Sequence, residues 1–178
     1  TTLDNGLKVI SDRLPHVETV SVGTWVDVGS RFESAAENGL SHMLEHMAFK
    51  GTQKRTALDI AEEIENVGGY LNAYTSREHT TYYARLLKDD LELGIDVLSD
   101  ILQNSTFNQE ELERERGVII QEIGQAEDTP DDVVFDLLQT AAYPDQSMGR
   151  PILGTCDLVN AFSREDLNNY MADHYKAE

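Results

Sequence analysis

Residues 38–51 read NGLSHMLEHMAFKG, with His42, Glu45 and His46 at the centre. On a helix, residues three and four apart share a face, so these three side chains project together while Leu40, Met43, Leu44 and Met47 take the other side. One face packs and the other chelates. Zinc needs neutral imidazole nitrogens about 2 Å away, and histidines one turn apart reach a common ion without distorting the backbone. A catalytic site also needs a third protein ligand, an open position for water, and a base to deprotonate that water. Glu45 is placed to be the base. Five residues alone also suit an ordinary amphipathic helix, so the third ligand decides.

Upstream, a turn signal at Asp4–Gly6 precedes LKVISDRL and then VETVSVGTWVDVGS. In the second run Val20, Val22, Thr24, Val26 and Val28 alternate with Ser21, Gly23, Trp25 and Asp27, the period of a strand, and two early antiparallel strands are expected. Asn38 is a candidate N-cap for the histidine helix. Thr56 is one for ALDIAEEIENV, which stops at Gly68-Gly69. YLNAYTSREHTTYYARLL is β-rich and reads as two strands. Four helical patterns follow: DDLELGIDVLSDILQ, NQEELERERGVIIQEIGQ, DDVVFDLLQTAAY and REDLNNYMADHY. Asn108 and Ser163 cap the second and last, with Glu111 and Asp166 three residues on. YPDQSMGRPILG is the one clear irregular stretch.

Strands mainly first and helices mainly later argue for an α+β fold with an antiparallel sheet. The 178 residues suit one domain, residues 1–178, with a sizeable core. Apolar residues at 40% and charged residues at 26% are ordinary globular usage, which excludes fibrous and low-complexity classes. No run approaches the roughly 18 apolar residues needed to cross a bilayer, so membrane insertion is not expected. The first residues carry neither a basic flank nor an apolar signal core. With no initiator Met, the start reads as trimmed or processed. The lone Cys156 excludes an intramolecular disulfide framework and suits a reducing compartment, and it is expected to be a small buried hydrophobe. Subtracting 33 acidic from 14 basic residues gives −19, a charge that repels nucleic acid and attracts cationic partners. His79 and His174 have no partner at ligand spacing and read as structural. His16 reads as a surface residue.

The helix NQEELERERGVIIQEIGQ offers the third ligand. Glu111, Glu115 and Glu122 share a stripe, since steps of four and seven return to the same side of a helix. Val118, Ile119, Ile120 and Ile123 crowd Glu122, and a carboxylate at least partly buried needs a partner. A metal would satisfy it.

SHMLEHMAFKGT, GGYLNAYTSREHTTYYA and ERERGVIIQEI, in this order and with Glu122 seventy-six positions after His46, resemble the inverzincin zinc peptidases of the pitrilysin (M16) group. Within that group the chain is most similar to the processing peptidases, the mitochondrial β subunits and their bacterial relatives, over essentially its whole length. The resemblance implies an antiparallel sheet of roughly five to six strands flanked by helices. It implies that His42, His46 and Glu122 bind zinc, that Glu45 is the general base, and that Glu115 supports the site without touching the metal. Asn72 and Ala73 match an edge-strand segment that takes the substrate as an added β-strand, a mode tolerant of side-chain sequence.

Asp132 and Asp136 lie four apart on a predicted helix and by spacing alone would be a solvated acidic face. They match positions where processing peptidases carry acidic residues that hold an arginine before the cleavage site, and paired carboxylates suit a guanidinium fork. The expected substrate is an extended, basic, leader-like peptide. Members of the group are about twice this long or work as paired subunits, so the chain reads as the N-terminal metal-binding domain, which needs a second homologous domain or subunit in a homo- or heterodimer. Two rivals share features with this reading. A non-catalytic core or partner subunit of the same fold commonly lacks ligands or base, all of which are present here. An S-ribosylhomocysteine lyase shares His-x-x-Glu-His but uses a cysteine ligand, for which Cys156 lacks the surroundings. The expected compartment is a bacterial cytoplasm, with a mitochondrial matrix as the alternative.

Overall fold

The computed structural model describes residues 1–177. Its elements are β1 (Thr19–Val26), α1 (Leu40–Ala48), α2 (Ala57–Glu65), β2 (Tyr70–Thr75), β3 (Thr80–Leu87), α3 (Leu91–Gln103), α4 (Gln109–Glu127), α5 (Pro130–Ala142), α6 (Cys156–Ala161) and α7 (Arg164–His174). The three strands form one antiparallel sheet in the order β1-β3-β2. The class is therefore α+β.

Alternation decides which sheet face packs. Tyr82, Ala84 and Leu86 of β3 are buried, as is Ala73 of β2, and they join Ile60 and Ile64 of α2 and Val97, Leu98 and Ile101 of α3 in one core cluster. Val20, Val22, Val26 and Leu71 pack against it. A second cluster lies on the other side of the histidine helix: Leu40, Met43, Leu44 and Met47 of α1 pack with Leu112, Ile119 and Ile123 of α4, Val159 of α6, and Leu167 and Tyr170 of α7. Ala48 belongs to the sheet cluster. Helix α1 is thus wedged between two cores, and its third face is left for chemistry.

Several expectations need correction. The sheet has three strands among the described residues, not five to six. The run after the Asp4–Gly6 turn forms only an isolated bridge, Thr2 to Lys8, and no strand. Its apolar residues Leu7, Val9, Ile10 and Leu14 are exposed, Ile10 at 94%. A β-prone run without a neighbouring strand to accept the backbone does not make a sheet. Cys156 is exposed rather than buried, because it is the first residue of α6. That helix was not anticipated. It is only six residues long, and its signal is the Thr155 hydroxyl accepting from the Leu158 amide.

Caps at Thr56, Asn108 and Ser163 form as expected, the first and last as capping boxes. Asn38 does not cap α1, whose N-cap is Gly39. The buried Glu33 carboxylate takes that role from outside the helix, accepting from the Gly39 amide at 2.9 Å, the Ser41 amide at 2.7 Å and the Ser41 hydroxyl at 2.6 Å. Asn38 donates to Glu33 Oε2 and to the Pro151 carbonyl, and the Ser41 hydroxyl also meets that of Tyr170. Burial raises the Glu33 pKa, and these donors only partly offset it. A carboxylate at a helix N-terminus meets free amides and the positive end of the helix dipole. This anchor fixes where the helix begins, and so where His42 sits.

Candidate metal centre

Met43, Leu44 and Met47 are 0–1% exposed, so the opposite face of α1 can point only one way. That face carries His42, Glu45 and His46 toward α4. Glu122 of α4 approaches both rings: its Oε2 lies 3.6 Å from His42 Nε2 and 3.5 Å from His46 Nε2. One ligand atom from each of the three residues lies within 4.8 Å of the others, the only such group among the described residues. Ligands about 2 Å from a tetrahedral ion stand roughly 3.3 Å apart, so the spacing of Glu122 to the two rings fits zinc with little adjustment.

The protonation chemistry suits the same group. Burial, with His46 nearby, pushes the His42 pKa down to about 3, so this ring is held neutral. His42 Nδ1 is itself buried with no protein partner. Burial also works to lower the His46 pKa, but Glu115, Glu122 and Glu45 outweigh it and the net shift is upward. Glu115 sits two turns before Glu122 on the same stripe of α4. It is 6% exposed, and its Oε2 lies 3.0 Å from His46 Nδ1. A carboxylate on the far nitrogen fixes the ring tautomer and orientation, leaving Nε2 to coordinate. Lys50 completes this chain with Nζ 2.7 Å from Glu115 Oε1. Glu111 leaves the stripe's chemistry by pairing with Arg114.

Glu45 faces the same space. Burial raises its pKa, while the Thr75 hydroxyl, donating to Oε2 at 2.5 Å, and His46 pull it back. Moving a carboxylate's pKa toward neutrality improves it as a base near neutral pH. A cleft of about 190 Å³ opens here, lined by Glu45, His46, Phe49, Lys50, Asn72 and Glu115. A larger hollow of about 500 Å³ lies aside, between residues 50–59 and the start of α4, and contains none of the three candidate ligands.

β2 is an edge strand, as the matched segment implied. Asn72 lines the cleft from it, donating to the Tyr70 hydroxyl and accepting the Ala73 amide at 2.8 Å. Asp132 and Asp136 lie on α5, and neither lines the cleft. Asp132 is exposed, whereas Asp136 accepts from Arg77 Nη2 at 3.0 Å. His79 lies beside the Tyr74 ring, and His174 against that of Tyr170. Lys50 and Thr75 were not singled out from the sequence. Lys50 lies beyond the end of α1 and Thr75 shares the strand parity of Ala73, but neither position marks its partner in the sequence.

Known proteins resemble this chain in sequence and in fold. Residues 8–156 match the family described as Insulinase (Peptidase family M16). The chain belongs to the M16 peptidase family. It is 50% identical over 176 residues to the mitochondrial-processing peptidase subunit beta of Rattus norvegicus, covering 99% of this chain and 36% of that protein. An uncharacterized zinc protease of Rickettsia felis is 45% identical over 98% of this chain and 42% of its own length. Another, from Streptomyces coelicolor, is 47% identical, covering 98% and 38%. The chain thus spans 36% to 42% of these relatives. Among solved structures, a protease from Helicobacter pylori superposes with a TM-score of 0.94 at 25% identity, over 99% of this chain and 43% of that one.

Proposed function

We propose that this M16 chain is the metal-binding domain of a zinc-dependent endopeptidase that cleaves extended, basic, leader-like peptides. The observation that carries the reading is the convergence of His42, His46 and Glu122 beside Glu45, with ligand-atom distances that suit one tetrahedral ion. Bound there, zinc supplies a Lewis acid that polarises a carbonyl and makes a water acidic near neutral pH.

The protein's own groups do the rest. His42 presents a neutral Nε2 and His46 turns its Nε2 to the same point, Glu122 brings the compensating charge, and Glu115 holds the His46 ring. Glu45 accepts the proton of the attacking water and returns it to the departing amine, which leaves as a neutral group. The free edge of β2 at Asn72 and Ala73 receives the substrate as an added strand, a peptide carbonyl taking the Ala73 amide in place of the Asn72 side chain. Asp132 and Asp136 bind a substrate arginine. Because Arg77 already holds Asp136, Asp132 is the freer of the pair and the incoming guanidinium shares Asp136 with Arg77.

A second homologous domain or subunit completes the enzyme, a role supported by the rat relative's name as a subunit. The bacterial cytoplasm, with the mitochondrial matrix as alternative, suits a chain of this acidity with one cysteine. No helix among the described residues is long and apolar enough to cross a membrane.

The test is mass-spectrometric mapping of an arginine-containing leader peptide, and of the same peptide with alanine for arginine, after incubation with the zinc-loaded protein. Cleavage near the arginine, slower without it, is expected. Glu45→Gln should retain zinc and lose about 10²–10⁴ in rate. A Glu45→Gln variant cutting at the normal rate would show that the base is wrong. Bound zinc with no cleavage would mean that the chemistry waits on the second domain or subunit.

A further inference from the structure

Glu45 is the one member of the α1 triad whose carboxylate is tied by a single residue. Glu115 braces His46 and burial confines His42, whereas Glu45 is held by Thr75, whose hydroxyl donates to Oε2 and whose backbone amide also favours the carboxylate. The terminal torsion of a glutamate is broad, so an untethered carboxylate turns freely about it. The Thr75 contact, 2.5 Å to Oε2, is at the short end for a hydroxyl on a carboxylate. It fills one oxygen and leaves Oε1 for a water proton. The donor is rigid: Thr75 is β-branched, sits in the β2–β3 ladder opposite Thr80, and points to the inner face with Leu71 and Ala73.

We propose that Thr75 is the positioning residue of the general base, holding the Glu45 carboxylate by Oε2 so that Oε1 faces the water to be deprotonated. Because Thr75 lies on the edge strand that also carries Asn72 and Ala73, one element holds both the added substrate strand and the base. A peptide paired along β2 therefore meets a base already set to the same register. The proposal rests on Glu45 being the base, as argued above.

The test compares Thr75→Val, which keeps the branched shape and removes the donor, with Thr75→Ser, which keeps the donor. Crystal structures of the zinc-loaded variants read the carboxylate position directly, whether or not the protein cleaves. The Val variant is expected to bind zinc in full, melt within a few degrees of wild type, and show the Glu45 carboxylate turned from its wild-type position. Its kcat should fall roughly ten- to a hundredfold with KM little changed, as for a catalytic group displaced by up to about 1 Å. The Ser variant should recover both position and rate. An unmoved carboxylate in Thr75→Val, or a Ser variant as impaired as Val, overturns the proposal. If the Val variant fails to fold, Thr75→Ala removes the donor without added bulk and is read in the same way. A wild-type protein that binds zinc and cleaves nothing would mean that cleavage waits on the second domain or subunit, and the carboxylate position would still decide the role of Thr75.

Discussion

His46 is held from both sides, by Glu122 near Nε2 and by Glu115 at Nδ1, while Lys50 neutralises the buried Glu115. Removing the brace should loosen the metal without deleting a ligand. Glu115→Ala is expected to weaken zinc binding about 10- to 100-fold, measured by competition with a chromogenic chelator, with stoichiometry unchanged. Unchanged affinity would mean that Glu115 serves packing alone. At this scale the sequence was informative about residues and silent about partners. The spacing of His42, Glu45 and His46 defines their shared face, and the apolar neighbours of Glu122 mark it as part-buried, but that Glu115 rather than Glu111 enters the site depends on how α4 meets α1. Lys50 and Thr75 carry no motif of their own, and only the folded chain brings them to Glu115 and Glu45.

Gly39, the N-cap whose amide Glu33 accepts, lets helix α1 start where that anchor sets it. Its φ of +99° lies in the left-handed region, and an added Cβ would stand 2.7 Å from the Leu153 carbonyl oxygen. Gly39→Ala is expected to lower stability by about 1–3 kcal/mol, read as a lower melting temperature, from backbone strain together with that clash. Gly68, also left-handed at +69° but with nothing within 4 Å of an added Cβ, is the control, and Gly68→Ala should cost less, on the order of 1 kcal/mol. Equal losses would contradict the role given to the Leu153 contact. Capping boxes, helix periodicity and the alternation in β1, β2 and β3 were legible locally because each is set by neighbours in sequence. The Glu33 anchor was not, since its carboxylate reaches the helix across an intervening loop. The failed strand after Gly6 shows the converse: a turn followed by β-prone residues is not enough, because a partner must supply the ladder.

Across the whole molecule, the site exists because two cores meet at one helix. The sheet cluster holds β2, and with it Asn72 and Thr75, against one side of α1, and the helical cluster holds α4 with both glutamates against another. Fold class and the candidate ligand set were readable because three separated motifs share one register. Strand number was not, since nothing local reveals how many neighbours a sheet acquires. The charge of −19 fits a basic substrate, yet where it acts is decided by contacts such as Arg77 with Asp136. The centre of the account is that His42, His46 and Glu122 hold one zinc ion beside Glu45. Diffraction from crystals of the zinc-loaded protein, recorded on both sides of the zinc absorption edge, tests it most directly. The account predicts a single strong anomalous peak about 2 Å from His42 Nε2, His46 Nε2 and a Glu122 oxygen. A peak elsewhere, or none at these three residues in fully loaded protein, would contradict it.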